Sequence, residues 1–196
     1  MIDMPAYILC GGKSSRFGTD KALVEINGKK LIEIVAGELK KVFNNIVVVT
    51  AKEKEYEFLN LECINDIYFN CGPLAGIHTV LKHAGKGKAF IISCDLPSIT
   101  TDAIEYIAGF KTEKPVIIPS SGGKKHYLCG VYHTSILAEA ERLLEATKEK
   151  EKCASPYDLI SVTGYETIDF DSLPGFGREI FFNLNSKEDL GKFTGL

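Results

Sequence analysis

Short apolar runs alternate along this chain with amphipathic stretches, and this alternation restricts the fold more than any other feature. Several of the runs have no polar residue at alternate positions, as expected for strands buried on both faces of a parallel sheet. The predicted strands are AYILC (6–10), NIVVVT (45–50), LECIN (61–65), KAFIISC (88–94) and PVIIP (115–119), with helices between them over residues 30–43, 73–84 and 101–110. The pattern predicts an α/β fold of three layers with a mostly parallel central sheet and right-handed crossovers.

The pattern changes after about residue 126. Residues 126–133 are predicted as a strand, residues 135–150 as a helix, and residues 181–185 as a late strand followed by a short helix. No repeat, low-complexity tract or linker interrupts the chain, and 196 residues suit one domain. We therefore expect a single domain over residues 1–196.

Composition excludes several classes of function. Twenty-three Lys and Arg against 26 Asp and Glu give a formal net charge of -3 and no general footprint for nucleic acid. No apolar run approaches the roughly 18 residues of a membrane span. The N-terminus, MIDMPAYILC, lacks the basic and long apolar regions of a signal peptide. We expect a cytoplasmic protein whose six scattered cysteines are mostly buried thiols rather than disulfides or a zinc site.

The stretch LCGGKSSRFGTDK (9–21) follows the first predicted strand, where an open α/β sheet binds its ligands. Its glycines allow close backbone approach to an anion. Lys13, Arg16 and Lys21 add the positive charge that a polyphosphate needs. Two familiar phosphate motifs are excluded by counting: a P-loop would need Gly where Tyr7 stands, and G-x-G-x-x-G would need Gly at Lys13.

The same stretch resembles the signature L-A-G-G-x-S-x-R-M-G-x-D-K of molybdenum cofactor guanylyltransferases, with Cys10 in place of Ala and Phe17 in place of Met. The resemblance continues in family order through GKKLIEIV (28–35), DIYFNCGPLAGI (66–77), CDLP (94–97) and FFNLNSKEDL (181–190). It implies a Rossmann-like nucleotidyltransferase fold and transfer of GMP from GTP to molybdenum-bearing molybdopterin. Molybdenum cofactor insertion proteins and apo-molybdoenzymes are the further partners that it implies, with no role for nucleic acid or a membrane.

The resemblance also implies roles for individual residues. Asp95 would be the Mg²⁺ ligand, and Asn183 and Asn185 would lie near the metal and the pterin. Catalysis would depend on Lys21, Arg16 and Asp95. The predicted GTP-binding residues are Leu9, Cys10, Gly11, Gly12, Lys13, Lys21, Asp66 and Asp95.

The residues themselves leave alternatives open. Asp95 ends a buried strand, a position suited to Mg²⁺, although it could also cap the following helix. Asp66 could be a turn residue, or could accept hydrogen bonds from a guanine or a ribose. His126 begins HYLCGVY, which resembles the family's HPL segment on the acceptor side with Tyr127 replacing Pro, so its role is open.

Two further groups favour structural roles. The pair of Asp169 and Asp171 in IDFDS could hold a metal, but it falls in an acidic turn before Pro174. The remaining histidines, His78, His83 and His133, have no shared metal-ligand spacing.

Two other functions stay open at this point. The first is a related enzyme that uses another base or acceptor, such as a molybdopterin cytidylyltransferase or a sugar-nucleotide enzyme; Gly12 disfavours the cytosine group, which resembles L-A-A-G here. The second is a catalytically silent nucleotide-binding or partner-binding protein, which the presence of both Lys21 and Asp95 disfavours.

Overall fold

The central sheet follows directly from the apolar runs. In the computed structural model, which describes residues 1–11, 20–148, 150 and 152–194, the strands are β1 (Ala6–Leu9), β2 (Glu25–Ile26), β3 (Lys29–Lys30), β4 (Ile46–Val49), β5 (Glu62–Ile64), β6 (Lys88–Ser93), β7 (Val116–Ser121), β8 (Lys124–Lys125), β9 (Cys129–His133) and β10 (Glu166–Asp169). The main sheet has the order β10-β7-β9-β6-β1-β4-β5, and β8 pairs with β7. Strands β2 and β3 form a separate hairpin.

Most neighbours in the main sheet run parallel. The pairs β1–β4, β1–β6, β4–β5 and β7–β10 are parallel, whereas β9 is antiparallel to both β6 and β7 and β8 is antiparallel to β7. The predicted mostly parallel α/β fold is confirmed. Because β9 runs against its neighbours, its amino end lies at the edge where the parallel strands have their carboxyl ends.

Helices cover both faces of the sheet. They are α1 (Leu31–Val42), α2 (Pro73–Ala84), α3 (Thr101–Gly109), α4 (Leu137–Thr147), α5 (Pro156–Thr163) and α6 (Lys187–Thr194). Alternate residues of β1 explain why the strands show no polar face: Ala6 and Ile8 pack with α1 and α3, while Tyr7 and Leu9 pack with α2, α4 and α5. No helix of the described residues is long and apolar enough to cross a membrane.

The late part of the chain differs from its prediction. Residues 181–185 do not form a strand: a 3₁₀ turn, Arg178–Phe181, is followed by irregular chain. The physical reason is the lack of a partner strand, since the Leu184 N–H donates to the carbonyl of Asp95 at 3.0 Å rather than to a ladder. The predicted strand over 126–133 is also shorter, because the Cys129 N–H closes a turn on the His126 carbonyl at 3.1 Å before β9 begins.

The six cysteines are free thiols. Four of them, Cys10, Cys71, Cys94 and Cys129, are buried. The prediction of mostly buried thiols agrees with this arrangement.

Candidate functional site

Asp95 lies two residues beyond β6, at the edge where β1, β4, β5 and β6 end. Backbone hydrogen bonds fix the approach to it: the Cys94 N–H donates to Leu9 O at 3.3 Å, and the Ser93 N–H donates to Leu128 O at 2.7 Å. The helix cap that Asp95 could have supplied comes instead from the Thr100 hydroxyl, which accepts from Ala103 N. Asp95 is therefore left for the site.

Lys21 brings two distant segments together at this edge. Its Nζ donates to Asp95 Oδ2 at 2.9 Å and to Asn185 Oδ1 at 2.9 Å. The Lys21 and Asp95 side chains are only 15% and 20% exposed, so the ion pair is largely shielded from solvent screening. The second oxygen of Asp95, Oδ1, is buried and has no hydrogen-bond partner among the described residues. It is thus an acceptor that the described part of the protein leaves unused.

Exposed and buried side chains alternate around Asn183 and Asn185, although their segment is not a strand. Both are exposed, and Leu184 between them is fully buried. The structure brings Asn185 to Lys21, and the Asn185 N–H donates to Asp189 Oδ2 at 2.9 Å. Of the two predicted residues, Asn185 hydrogen-bonds the Lys21–Asp95 pair, and Asn183 has no such bond among the described residues.

The first residues of the glycine-rich stretch lie at the same edge. Leu9 ends β1, and the Cys10 N–H donates to Val49 O at 2.9 Å, which holds the stretch against β4. A Cβ built on Gly11 would lie 3.7 Å from Asp66 Oδ2, so Gly11 and Asp66 are neighbours. The predictions for Gly12, Lys13 and Arg16 fall in residues 12–19, outside the described residues.

Asp66 follows β5 and faces the start of α2. Gly76 allows this close packing, because a Cβ there would lie 3.3 Å from Leu9 and 3.7 Å from Asp66 Oδ1. Burial raises the pKa of the Asp66 carboxyl, and a hydrogen bond from the Thr79 hydroxyl opposes part of that rise. Asp66 Oδ1 is buried without a hydrogen-bond partner in the described part of the chain. Asp66 is therefore a second carboxylate with an unused acceptor at this edge.

His126 reaches the edge from the opposite chain direction, because it precedes the antiparallel β9. Its ring stacks on Phe181, with centroids 4.7 Å apart. Burial lowers the pKa of His126, Lys124 acts in the same direction, and the Asp95 carboxylate opposes both. The lowered pKa favours the neutral form of the imidazole.

The structure adds Asp20, to which the sequence analysis gave no role. Asp20 Oδ1 accepts from Ala22 N at 3.2 Å and caps the short 3₁₀ turn, Lys21–Leu23, that contains Lys21. Asp20 Oδ2 accepts from the Tyr56 hydroxyl at 3.0 Å. The sequence signal that could have identified Asp20 was its position next to Lys21 in the glycine-rich stretch. Its partner Tyr56 is 36 residues away and gave no such signal.

The two aspartates of the acidic turn form hydrogen bonds within the protein. Asp169 accepts from Asp171 N at 3.2 Å. Asp171 accepts from Ser121 Oγ, Gly122 N and Arg178 Nε, which ties β7 to the C-terminal part of the chain. In the described residues, no group of three or more His, Cys, Asp or Glu side chains is arranged to hold a metal ion.

Known proteins are similar to this chain in sequence and in fold. Residues 6–158 match the model of the family described as the MobA-like NTP transferase domain. A probable molybdenum cofactor guanylyltransferase of Aquifex aeolicus is 34% identical over 193 residues, which cover 97% of this chain and 90% of that protein. A protein of the same name from Carboxydothermus hydrogenoformans is 34% identical over 194 residues, or 98% of this chain and 95% of that protein.

A solved structure is also similar to this chain in fold. The crystal structure of molybdopterin-guanine dinucleotide biosynthesis protein A from Archaeoglobus fulgidus has a TM-score of 0.82 to this chain. The two are 27% identical, and the match covers 98% of this chain and 97% of the other. The similarity in sequence and fold extends over almost the whole length. The chain therefore belongs to the MobA-like NTP transferase family and is a nucleotidyltransferase.

Proposed function

We propose that this chain transfers GMP from GTP to molybdopterin that carries molybdenum, giving molybdopterin guanine dinucleotide cofactor and pyrophosphate. The observation that supports it best is the contact of Lys21 with both Asp95 and Asn185 at the carboxyl edge of the sheet. The names of the similar proteins from Aquifex aeolicus and Carboxydothermus hydrogenoformans support the same reaction.

The acceptor needs little activation. Its attacking group is a phosphate monoester, whose second pKa is about 6, so the oxygen is already ionised at neutral pH. No strong general base is then required, and catalysis depends on alignment and on stabilising negative charge. A site with a lysine, an aspartate and an asparagine amide suits that task better than one built around a nucleophile.

Lys21 is the main stabiliser of charge in this proposal. Its ammonium is held by two hydrogen bonds of 2.9 Å, one to the largely buried Asp95 and one to the exposed Asn185. Negative charge moves onto pyrophosphate as it departs, and an ammonium that is already oriented needs no reorganisation at that moment. The resemblance also assigns positive charge for the phosphates to Lys13 and Arg16 of the glycine-rich stretch.

The side chains present fit a Mg²⁺ ion. Asp95 offers a buried carboxylate oxygen with no partner in the described chain, and Asn185 offers an amide oxygen beside it. Mg²⁺ prefers oxygen ligands and usually takes one or two carboxylates together with substrate phosphates and waters. Asp95 would hold the ion, and the ion would neutralise charge on the phosphates of the nucleotide.

Asp66 is proposed to bind the guanine or ribose. Its unpaired Oδ1 lies beside α2 and Gly76, and its other oxygen faces Gly11. Because this contact would exist equally in the bound and transition states, Asp66→Ala is expected to raise the KM for GTP about tenfold or more with little change in kcat. Steady-state kinetics with varied GTP measure both constants.

Asp66→Asn is the matched control for the charge, since it keeps the shape and one acceptor oxygen. We expect its KM to lie between those of the wild type and Asp66→Ala. A loss of kcat at unchanged KM in Asp66→Ala would contradict this role.

The choice of base tests the proposed function itself. The purified chain is incubated with Mg²⁺, molybdopterin and radiolabelled GTP, CTP or ATP, and the labelled dinucleotide product is measured. We expect GTP to be used well ahead of both others. Equal use or equal binding of GTP and CTP would contradict the guanine assignment and favour a cytidylyltransferase. Binding of GTP without any transfer would favour a silent nucleotide-binding protein.

A further inference from the structure

The turn that presents Lys21 is short, and its middle residue, Ala22, is buried in the core. It has three residues, Lys21–Leu23, and so contributes little stability of its own. The Asp20 side chain supplies its N-terminal cap through Ala22 N. Asp95 and Asn185 hold the Lys21 ammonium directly, whereas Asp20 caps the backbone turn from which the Lys21 side chain starts.

Tyr56 holds Asp20 from the interior of the molecule. Tyr56 lies in a 3₁₀ helix, Glu53–Leu59, after β4, and its side chain is fully buried in the cluster that contains Cys10 and Cys94. Its hydroxyl donates to Asp20 Oδ2 at 3.0 Å. Burial raises the pKa of Tyr56, and Cys10 and Asp20 raise it further, so the hydroxyl keeps its proton and remains a donor.

A lysine also contacts Asp20, but from the solvent side. Lys52 Nζ lies 3.3 Å from Asp20 Oδ2, and the Lys52 side chain is 50% exposed. Exposed ion pairs of this kind contribute little because water and salt screen them. The buried Tyr56 hydroxyl orients the Asp20 carboxylate, whereas the exposed Lys52 ammonium mainly supplies positive charge near it.

We propose that Tyr56 is a positioning residue of the transfer reaction, which acts on Lys21 through the Asp20 carboxylate. The Tyr56 hydroxyl donates to Asp20, and Asp20 caps the turn that contains Lys21. Lys21 in turn donates to Asp95 and Asn185. In this path Tyr56 acts through its hydrogen bond to Asp20. The inference rests on the proposed function, because it concerns the charge that Lys21 offers to the departing pyrophosphate.

The test is Tyr56→Phe, which removes only the hydroxyl and keeps the ring in the core. We expect kcat for GMP transfer to fall about tenfold, the loss of roughly one charge-assisted hydrogen bond. The KM for GTP should stay within about twofold, because the nucleotide contacts are untouched. Wild-type transfer is measured first, so that failure of the proposed function is seen separately from failure of this inference.

Tyr7→Phe is the matched control. Tyr7 is also buried, and its hydroxyl hydrogen-bonds His83 Nδ1 at 3.0 Å near the end of α2, away from the site. It should lower the melting temperature as Tyr56→Phe does but leave kcat within about twofold. Equal effects of the two substitutions on kcat would show that Tyr56 acts only through stability and would overturn the inference.

A double-mutant cycle identifies the path. Asp20→Ser keeps an oxygen that can cap the turn but cannot reach Tyr56 as the carboxylate does. We expect Asp20→Ser to lower kcat about tenfold, and Tyr56→Phe to lower it less than twofold further in that background. If the two substitutions instead lower kcat by independent factors that multiply in the double mutant, Tyr56 does not act through Asp20, and the inference is overturned. A change confined to the KM for GTP would overturn it as well.

Discussion

Lys21→Ala is expected to lower kcat at least ~100-fold, the order seen when one preorganised charge stabiliser is lost from an active site. The reason is geometric, since the ammonium is fixed by Asp95 and Asn185 at 2.9 Å each and is only 15% exposed. An interaction that strengthens as charge develops affects the chemical step more than ground-state binding. Steady-state kinetics with GTP, Mg²⁺ and molybdopterin give kcat and KM separately.

Two controls sharpen this prediction. Lys88→Ala removes an exposed lysine at the opposite end of β6 and should leave kcat within about twofold. Lys21→Arg keeps the charge but replaces a compact ammonium by a planar guanidinium, so only partial recovery is expected. A rise in KM alone for Lys21→Ala would show that Lys21 serves binding rather than the chemical step.

Asp95→Ala is expected to abolish transfer, with a fall of at least about 1,000-fold in kcat, or ~4 kcal/mol of transition-state stabilisation. The substitution removes the carboxylate proposed to hold Mg²⁺ and the partner of Lys21. It should leave the fold intact, because the bond from Leu184 N uses the Asp95 backbone carbonyl rather than its side chain. Product formation over a range of Mg²⁺ concentrations is the measurement.

Asp95→Asn is the matched variant, since it preserves size and removes the charge. Circular dichroism and the melting temperature of both variants check that the fold is retained. Substantial Mg²⁺-dependent turnover in Asp95→Ala would reject Asp95 as the essential ligand. If Asp95→Asn keeps near wild-type activity, the carboxylate charge is not what the reaction needs.

Much of the fold could be predicted because local pattern and tertiary packing agree. The helix predicted over 73–84 is α2 with the same bounds, since Gly72 and Pro73 define its start and Gly85 its end. The pattern FFNLN over 181–185 misled because alternation shows which residues are buried, not whether a partner strand is present. Leu184 is buried as a strand residue would be, yet its N–H bonds to a loop.

The site could be predicted less completely than the fold. Asp95, Asp66 and Lys21 could be predicted to lie at one edge, because each follows a predicted parallel strand. The resemblance supplied the roles expected of them and of Asn185. Tyr56 could not be identified, because an isolated tyrosine in a charged segment has no motif. Its contact with Asp20 arises only when β4 and the following 3₁₀ helix pack beside the glycine-rich stretch.

The contact between Lys21 and Asn185 has a consequence for folding order. The two residues are 164 positions apart, while the parallel pairs β1–β4, β4–β5 and β1–β6 use only the chain up to Ser93. Contacts between distant residues must overcome a larger loss of chain entropy and tend to form late. During synthesis from the N-terminus, the parallel half of the sheet can assemble while Lys21 still lacks Asn185. Enzymatic competence is therefore expected to appear only after the last segments dock, well after the chain becomes compact.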